Sequence, residues 1–116
     1  TAPTWTTSAG SIGTFAAGST ISGLNVQASS DSNVTITETT SVLTSNSNTP
    51  ATTMNLNLAG TPASSATYTI SGTAPSPTSD QTYNFTLRAT DAEGQTADRA
   101  FSITITVGAN NSGQFN

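Results

Sequence analysis

Apolar and polar side chains alternate without a break in two long segments near the carboxyl end of the chain. The apolar positions of these segments share one parity and are Tyr83, Phe85, Leu87 and Ala89, then Phe101, Ile103, Ile105 and Val107. A period of two places successive side chains on opposite faces of a strand. Each segment therefore predicts a β-strand with one buried and one solvated face.

Shorter alternating segments precede these two. They predict strands around residues 12–15, 21–29, 34–36, 54–58 and 68–70, with a bulge at Ser22 and Gly23 and a polar turn over residues 29–33. No segment has a helical period. About seven or eight short strands, separated by turn signals every ~8–12 residues, predict an all-β fold, a two-sheet antiparallel β-sandwich. We assign residues 1–108 to this sandwich and residues 109–116 to a polar C-terminal tail or linker.

The composition fits a polar sandwich and excludes several partners. Of the 116 residues, 33% are hydrophobic and only 7% are charged, so the polar surface must consist mainly of Thr, Ser and Asn. The chain has two arginines, no lysine and a net charge of -4, which does not supply the clustered cations that nucleic acids or anionic membranes require. It has no cysteine, which excludes disulfides and zinc–thiolate sites.

Three sequence segments resemble a known family. Tyr-Thr-Ile-Ser-Gly-Thr at residues 68–73, Tyr-Asn-Phe-Thr-Leu-Arg-Ala-Thr-Asp at residues 83–91 and Phe-Ser-Ile-Thr-Ile at residues 101–105 are similar to immunoglobulin-like, cadherin-like modules of bacterial surface proteins and phage virion proteins. The resemblance implies an immunoglobulin-like sandwich that serves as a spacer, an adhesive tip or a decoration, and not as an enzyme. The segment at residues 88–101, in a lysine-free background, looks most like copies in structural proteins of tailed phages.

Asp91, Glu93 and Asp98 lie within one turn between the last two strands and are the candidate metal ligands. Cadherin-like modules bind calcium through acidic residues at domain ends, and Ca²⁺ takes about six to eight oxygen ligands. Asp31 or Glu38 could complete such a set. In the alternative, the turn is simply solvated, with Asp91 bonding to its own backbone and Gly94 supplying a positive φ. No other cofactor is indicated.

No residue set predicts catalysis. The chain has no histidine and no glycine-rich phosphate loop, and its paired carboxylates lie in a short turn without a cleft-forming insertion. The parity of the aromatic positions places most of them, Phe85 among them, inside the core. We therefore predict a non-enzymatic protein.

Three functions follow from the resemblance and the composition. The first is a structural module of a phage virion, as a capsid decoration or a fibre or tail protein on the virion surface, with other virion proteins or a second copy as partner and host surface glycans as a further candidate. The second is an adhesive or spacer module on a bacterial cell surface, and the third is a carbohydrate-binding accessory module of a secreted enzyme. Sheet edges are the predicted contact surface, because the chain lacks the lysines that commonly protect edges and has prolines only at some of them.

Overall fold

A computed structural model describes residues 1–45 and 52–107, and these residues form seven strands and no α-helix. No helix in this part of the chain could therefore cross a membrane. The strands are β1 (Thr4–Trp5), β2 (Gly10–Ala16), β3 (Thr20–Glu38), β4 (Asn57–Gly60), β5 (Ala63–Thr73), β6 (Gln81–Asp91) and β7 (Thr96–Thr106). The predicted tail at residues 109–116 lies outside the described residues.

The longest strand, β3, belongs to both layers of the sandwich. Its first half pairs with β5, its second half pairs with β6, and the register shifts between Ser29 and Val34. Val34 itself is paired with both Ala63 and Asp91. One layer therefore contains β1, the first half of β3, β5 and β4, while the other contains β2, β7, β6 and the second half of β3. The prediction of an all-β, immunoglobulin-like two-sheet sandwich is confirmed.

Trp5 connects the two layers across one end of the core. Its ring lies edge-on to that of Phe101, with 5.3 Å between the ring centroids. Its indole Nε1 donates a hydrogen bond of 2.9 Å to the carbonyl of Ala97. Phe85 and Phe101 are each only 1% exposed, and none of the large hydrophobic residues in the described part of the chain is exposed. The alternation in β6 and β7 therefore identified the buried face correctly.

The sandwich is antiparallel as predicted except at β2, which pairs with β7 in parallel. The chain stays in the first layer up to Thr7, where the amides of Thr6 and Thr7 donate to the carbonyl of Gln27. It then crosses to the second layer and joins β7 there. A strand that arrives by a crossover, and not through a hairpin, is not tied to antiparallel pairing.

The central part of the chain differs from prediction in two places. Residues 29–33 are not a turn, because they lie within the continuous strand β3 at its change of layer. The predicted strand at residues 54–58 begins only at Asn57, since Asn55 has a φ of 54° and interrupts the extended backbone. Met54 and Leu56 are nevertheless buried. The predicted bulge after Ile21 is confirmed, with a register shift there and a φ of 69° at Gly23.

Candidate functional site

Three carboxylates meet where β3 changes layer beside the turn between β6 and β7. Asp31, Asp91 and Glu93 each offer a carboxylate oxygen within 4.8 Å of the others, and we call these residues the acidic group. Asp31 lies in the shifted part of β3, Asp91 ends β6 and Glu93 lies in the turn. Asp31 and Glu93 are exposed, whereas Asp91 is only 4% exposed.

Asp91 holds the turn together from inside. Its Oδ1 accepts hydrogen bonds from the amides of Glu93 and Gln95 at 3.0 and 2.9 Å, and its Oδ2 accepts one from the Ser30 hydroxyl at 3.2 Å. The amide of Gly94, which has a φ of 84°, donates to the carbonyl of Asp91. A buried carboxylate needs such partners, because unpaired burial would be costly. Asp91 therefore has the turn-capping role that the sequence suggested as the alternative to a metal ligand.

Asp98 does not join the acidic group, so the candidate set of Asp91, Glu93 and Asp98 is not assembled as predicted. Asp98 lies opposite Arg88 in the β6–β7 ladder and accepts two hydrogen bonds from it, at 2.8 Å from Nε and 3.0 Å from Nη2. The hydrogen bonds from Arg88 lower the pKa of Asp98. Asp31, which the sequence offered only as a supplementary ligand, takes its place.

Glu38, which the sequence offered as the other supplementary metal ligand, instead binds the loop that follows it. Its carboxylate accepts hydrogen bonds from the backbone amides of Val42, Leu43 and Thr44 at 2.9–3.0 Å. The hydroxyls of Thr40 and Thr44 also donate to it, at 2.6 and 2.9 Å. Burial acts to raise the pKa of Glu38, but these hydrogen bonds outweigh it, so the pKa lies below the ordinary value of 4.5. Sequence patterns could not reveal this role, because three of the five donors are backbone amides, which any residue supplies.

The acidic group supplies few free oxygens for a cation. A Ca²⁺ ion would take about six to eight oxygens, and both carboxylate oxygens of Asp91 already accept hydrogen bonds. Asp31 and Glu93 could supply the remaining carboxylate ligands, with water completing the shell. The calcium site stays a prediction, with Asp31 in place of Asp98.

One depression in the described surface contains no catalytic arrangement. It has a volume of about 320 Å³ and is lined only by uncharged residues, from the loops at Val42, Thr52 and Pro77 to β6 at residues 81–84. Its one titratable side chain is Tyr83, whose pKa is raised by burial above 10.0. A general acid or base near neutral pH is therefore lacking there.

A comparison with family models decides the family. The model described as Putative Ig domain matches residues 17–106, which include β3 to β7 and the core they enclose. The chain belongs to this family. Immunoglobulin-like domains of this kind are generally non-catalytic and serve as structural or adhesive modules. No curated protein matches the chain.

Proposed function

We propose that this immunoglobulin-like domain is a non-enzymatic structural module of a phage virion, as a capsid decoration or a fibre or tail component, that mediates assembly or surface attachment. Its partners are other virion proteins or further copies of itself. The similarity of residues 88–101 to modules of tailed-phage structural proteins supports this choice of particle.

The observation that carries the proposal is the nature of the outer faces of the sandwich. They are covered mainly by hydroxyl and amide side chains that bond across strands, such as Thr82 with Thr104 at 3.1 Å and Asn25 with Thr69 at 2.9 Å, and the exposed charges of Arg88 and Asp98 are paired with each other. No large hydrophobic side chain is exposed on the described surface. Contacts of such faces depend on shape and neutral hydrogen bonds, so they change little with salt. That property suits a module held permanently in an assembly.

The two other candidate functions differ from the first in location and in surface. A bacterial surface module would have the same fold, so only its location separates it from a virion module. A carbohydrate-binding module needs exposed aromatic rings for stacking, and the described part of the chain offers none that is fully exposed. The structure therefore gives no support to the third function.

Localisation tests the proposal directly. An antibody raised against the purified chain is used to probe phage particles banded on a density gradient, cell envelopes and medium from a culture that produces the protein. We expect the protein to band with the particles and to remain with them in high salt. Recovery with the cell envelope, together with an envelope marker, would contradict the virion assignment and favour the bacterial surface module.

A further inference from the structure

Strand β2 is an open edge of the second layer. Within the described residues it is hydrogen-bonded to β7 and to no other strand. The amide of Ala17 donates to the carbonyl of Thr106, so Phe15 and Ala17 direct their backbone groups towards β7. Because backbone direction alternates along a strand, Thr14 and Ala16 direct theirs away from the sheet. The carbonyl of Ala16 accepts hydrogen bonds from the amide and the hydroxyl of Ser19. The backbone groups that remain facing outward are the Thr14 amide, the Thr14 carbonyl and the Ala16 amide.

Two other edge strands are short and lie beside prolines. β1 has two residues and follows Pro3, and β4 has four residues and is followed after one residue by Pro62. Proline and short length are both common devices that prevent pairing at an edge. The second half of β3 ends at Glu38, a charged side chain whose carboxylate binds the loop at residues 40–44. β2 has seven residues and neither a proline nor a charged side chain.

β2 and the segments on either side of it in the sequence are uncharged and partly apolar. The charged side chains beside it come from elsewhere: Arg99 of β7 donates to the carbonyl of Thr7, and Asp80 accepts from the amide of Val107. No charged side chain occurs in residues 1–30, a stretch that contains β1, β2 and the first half of β3. Ile12, Phe15 and Ala17 are only half-buried, and all three lie in β2 or directly after it. An edge that keeps unpaired backbone groups beside half-buried apolar side chains is a site where burial by a further strand is favourable.

We propose that β2 pairs antiparallel with β2 of a second copy of this chain, about a two-fold axis, to form one continuous sheet across two domains. The amide and carbonyl of Thr14 both face outward, so the proposed two-fold axis passes beside Thr14 and places it opposite Thr14 of the second copy. A charge at this position would repel its own counterpart. β2 carries no charge, and its apolar side chains would cover one another. The inference rests on the proposed function and specifies self-association as the contact that builds the assembly.

Sedimentation equilibrium of the full chain, from micromolar to millimolar concentration, tests the proposal. We expect a reversible dimer that is slightly strengthened by added salt, because each copy carries a net charge of -4 and salt screens the repulsion between them. Thr14→Lys places like charges across the axis and is expected to weaken the dimer by about fivefold. Thr82→Lys is the matched control, since Thr82 is equally exposed but lies on the inner strand β6, and it should leave the dimer unchanged.

A cysteine variant provides a second measurement that does not depend on a weak equilibrium. The chain has no cysteine, so Thr14→Cys introduces a single thiol, and mild oxidation should trap a disulfide-linked dimer that Thr82→Cys does not form. A melting curve confirms that each variant is folded. A wild-type chain that stays monomeric at millimolar concentration would overturn the inference, as would equal crosslinking of the two cysteine variants. Neither result would affect the virion proposal, which localisation tests separately.

Discussion

Replacing Glu38 is the most informative perturbation of the loop between β3 and β4. Glu38→Ala removes an acceptor of five hydrogen bonds and leaves three backbone amides without their partner. The loop it holds includes Leu43, which is 0% exposed, and whose carbonyl accepts from the amide of Leu56. Loss of Glu38 should therefore loosen this part of the core as well as the loop itself.

The magnitude follows from the type of hydrogen bond. A hydrogen bond to a charged group contributes about 1.5–3 kcal/mol, but Glu38 is only half-buried and its donors would regain water. We therefore expect Glu38→Ala to lower the free energy of unfolding by about 2–4 kcal/mol in total, and Glu38→Gln, which keeps one oxygen acceptor, by about half as much. For a domain with about 5–15 kcal/mol of stability this is a large loss.

The pH dependence of stability distinguishes loss of the Glu38 hydrogen bonds from a simple packing defect. The pKa of Glu38 is lowered in the folded state, so its contribution is fully present above the ordinary value of 4.5 and is lost as the pH falls through the lower folded value. The difference in stability between the wild type and Glu38→Ala should therefore be largest at neutral pH and shrink at about pH 3.

Urea unfolding at both pH values measures this difference, and hydrogen exchange at the amides of Val42, Leu43 and Thr44 shows whether the loop opens locally. Glu93→Gln serves as the control, because Glu93 is exposed and its carboxylate is not bonded to a loop amide. A Glu38→Ala variant with the same urea midpoint as the wild type would refute the reasoning, as would a stability loss that is equal at both pH values.

Three further outcomes are expected. Phe85→Ala should cost about 3–5 kcal/mol in urea unfolding, since Phe85 is 1% exposed; a melting temperature within a degree or two of the wild type would contradict its burial. Asn55→Ala should cost about 1 kcal/mol, whereas Asn55→Gly should be tolerated, because the φ of 54° suits glycine; thermal melts of equal stability would contradict this strain. The predicted calcium site, with Asp31 in place of Asp98, implies that about 10 mM Ca²⁺ acting on a site with a Kd of about 1 mM stabilises the domain by about 1.4 kcal/mol. The melting temperature should then rise in the wild type and in Asp98→Asn but not in Asp31→Asn, and no rise in the wild type would remove the site.

The strands and the core were predictable because their signals are local. A period of two in β6 and β7 fixes which side chains face inward, whatever the rest of the chain does. Likewise, the parity break at Ser22 and Gly23 marked the bulge before Leu24. These features depend on neighbouring residues only, so one sequence suffices to find them.

The features that were missed depend on distant partners. Residues 29–33 look like a polar turn, but pairing with two different strands keeps β3 extended through them. The register of the β6–β7 hairpin can be counted outward from its turn, and this count places Arg88 opposite Asp98. The sequence could therefore have excluded Asp98 from the predicted metal ligands. No local sequence signal indicates that Asp31 lies near Asp91, because the change of layer in β3 brings these two residues together.

The two-layer sandwich depends most directly on β3 being shared by both layers. Nuclear Overhauser effects in the isotopically labelled chain test this feature in solution. We expect Val34 to show contacts with both Ala63 and Asp91, and the ring of Trp5 to show contacts with that of Phe101. Contacts of Val34 with only one of these partners, or no contact between the two rings, would contradict the two-layer sandwich on which the proposed assembly through β2 is built.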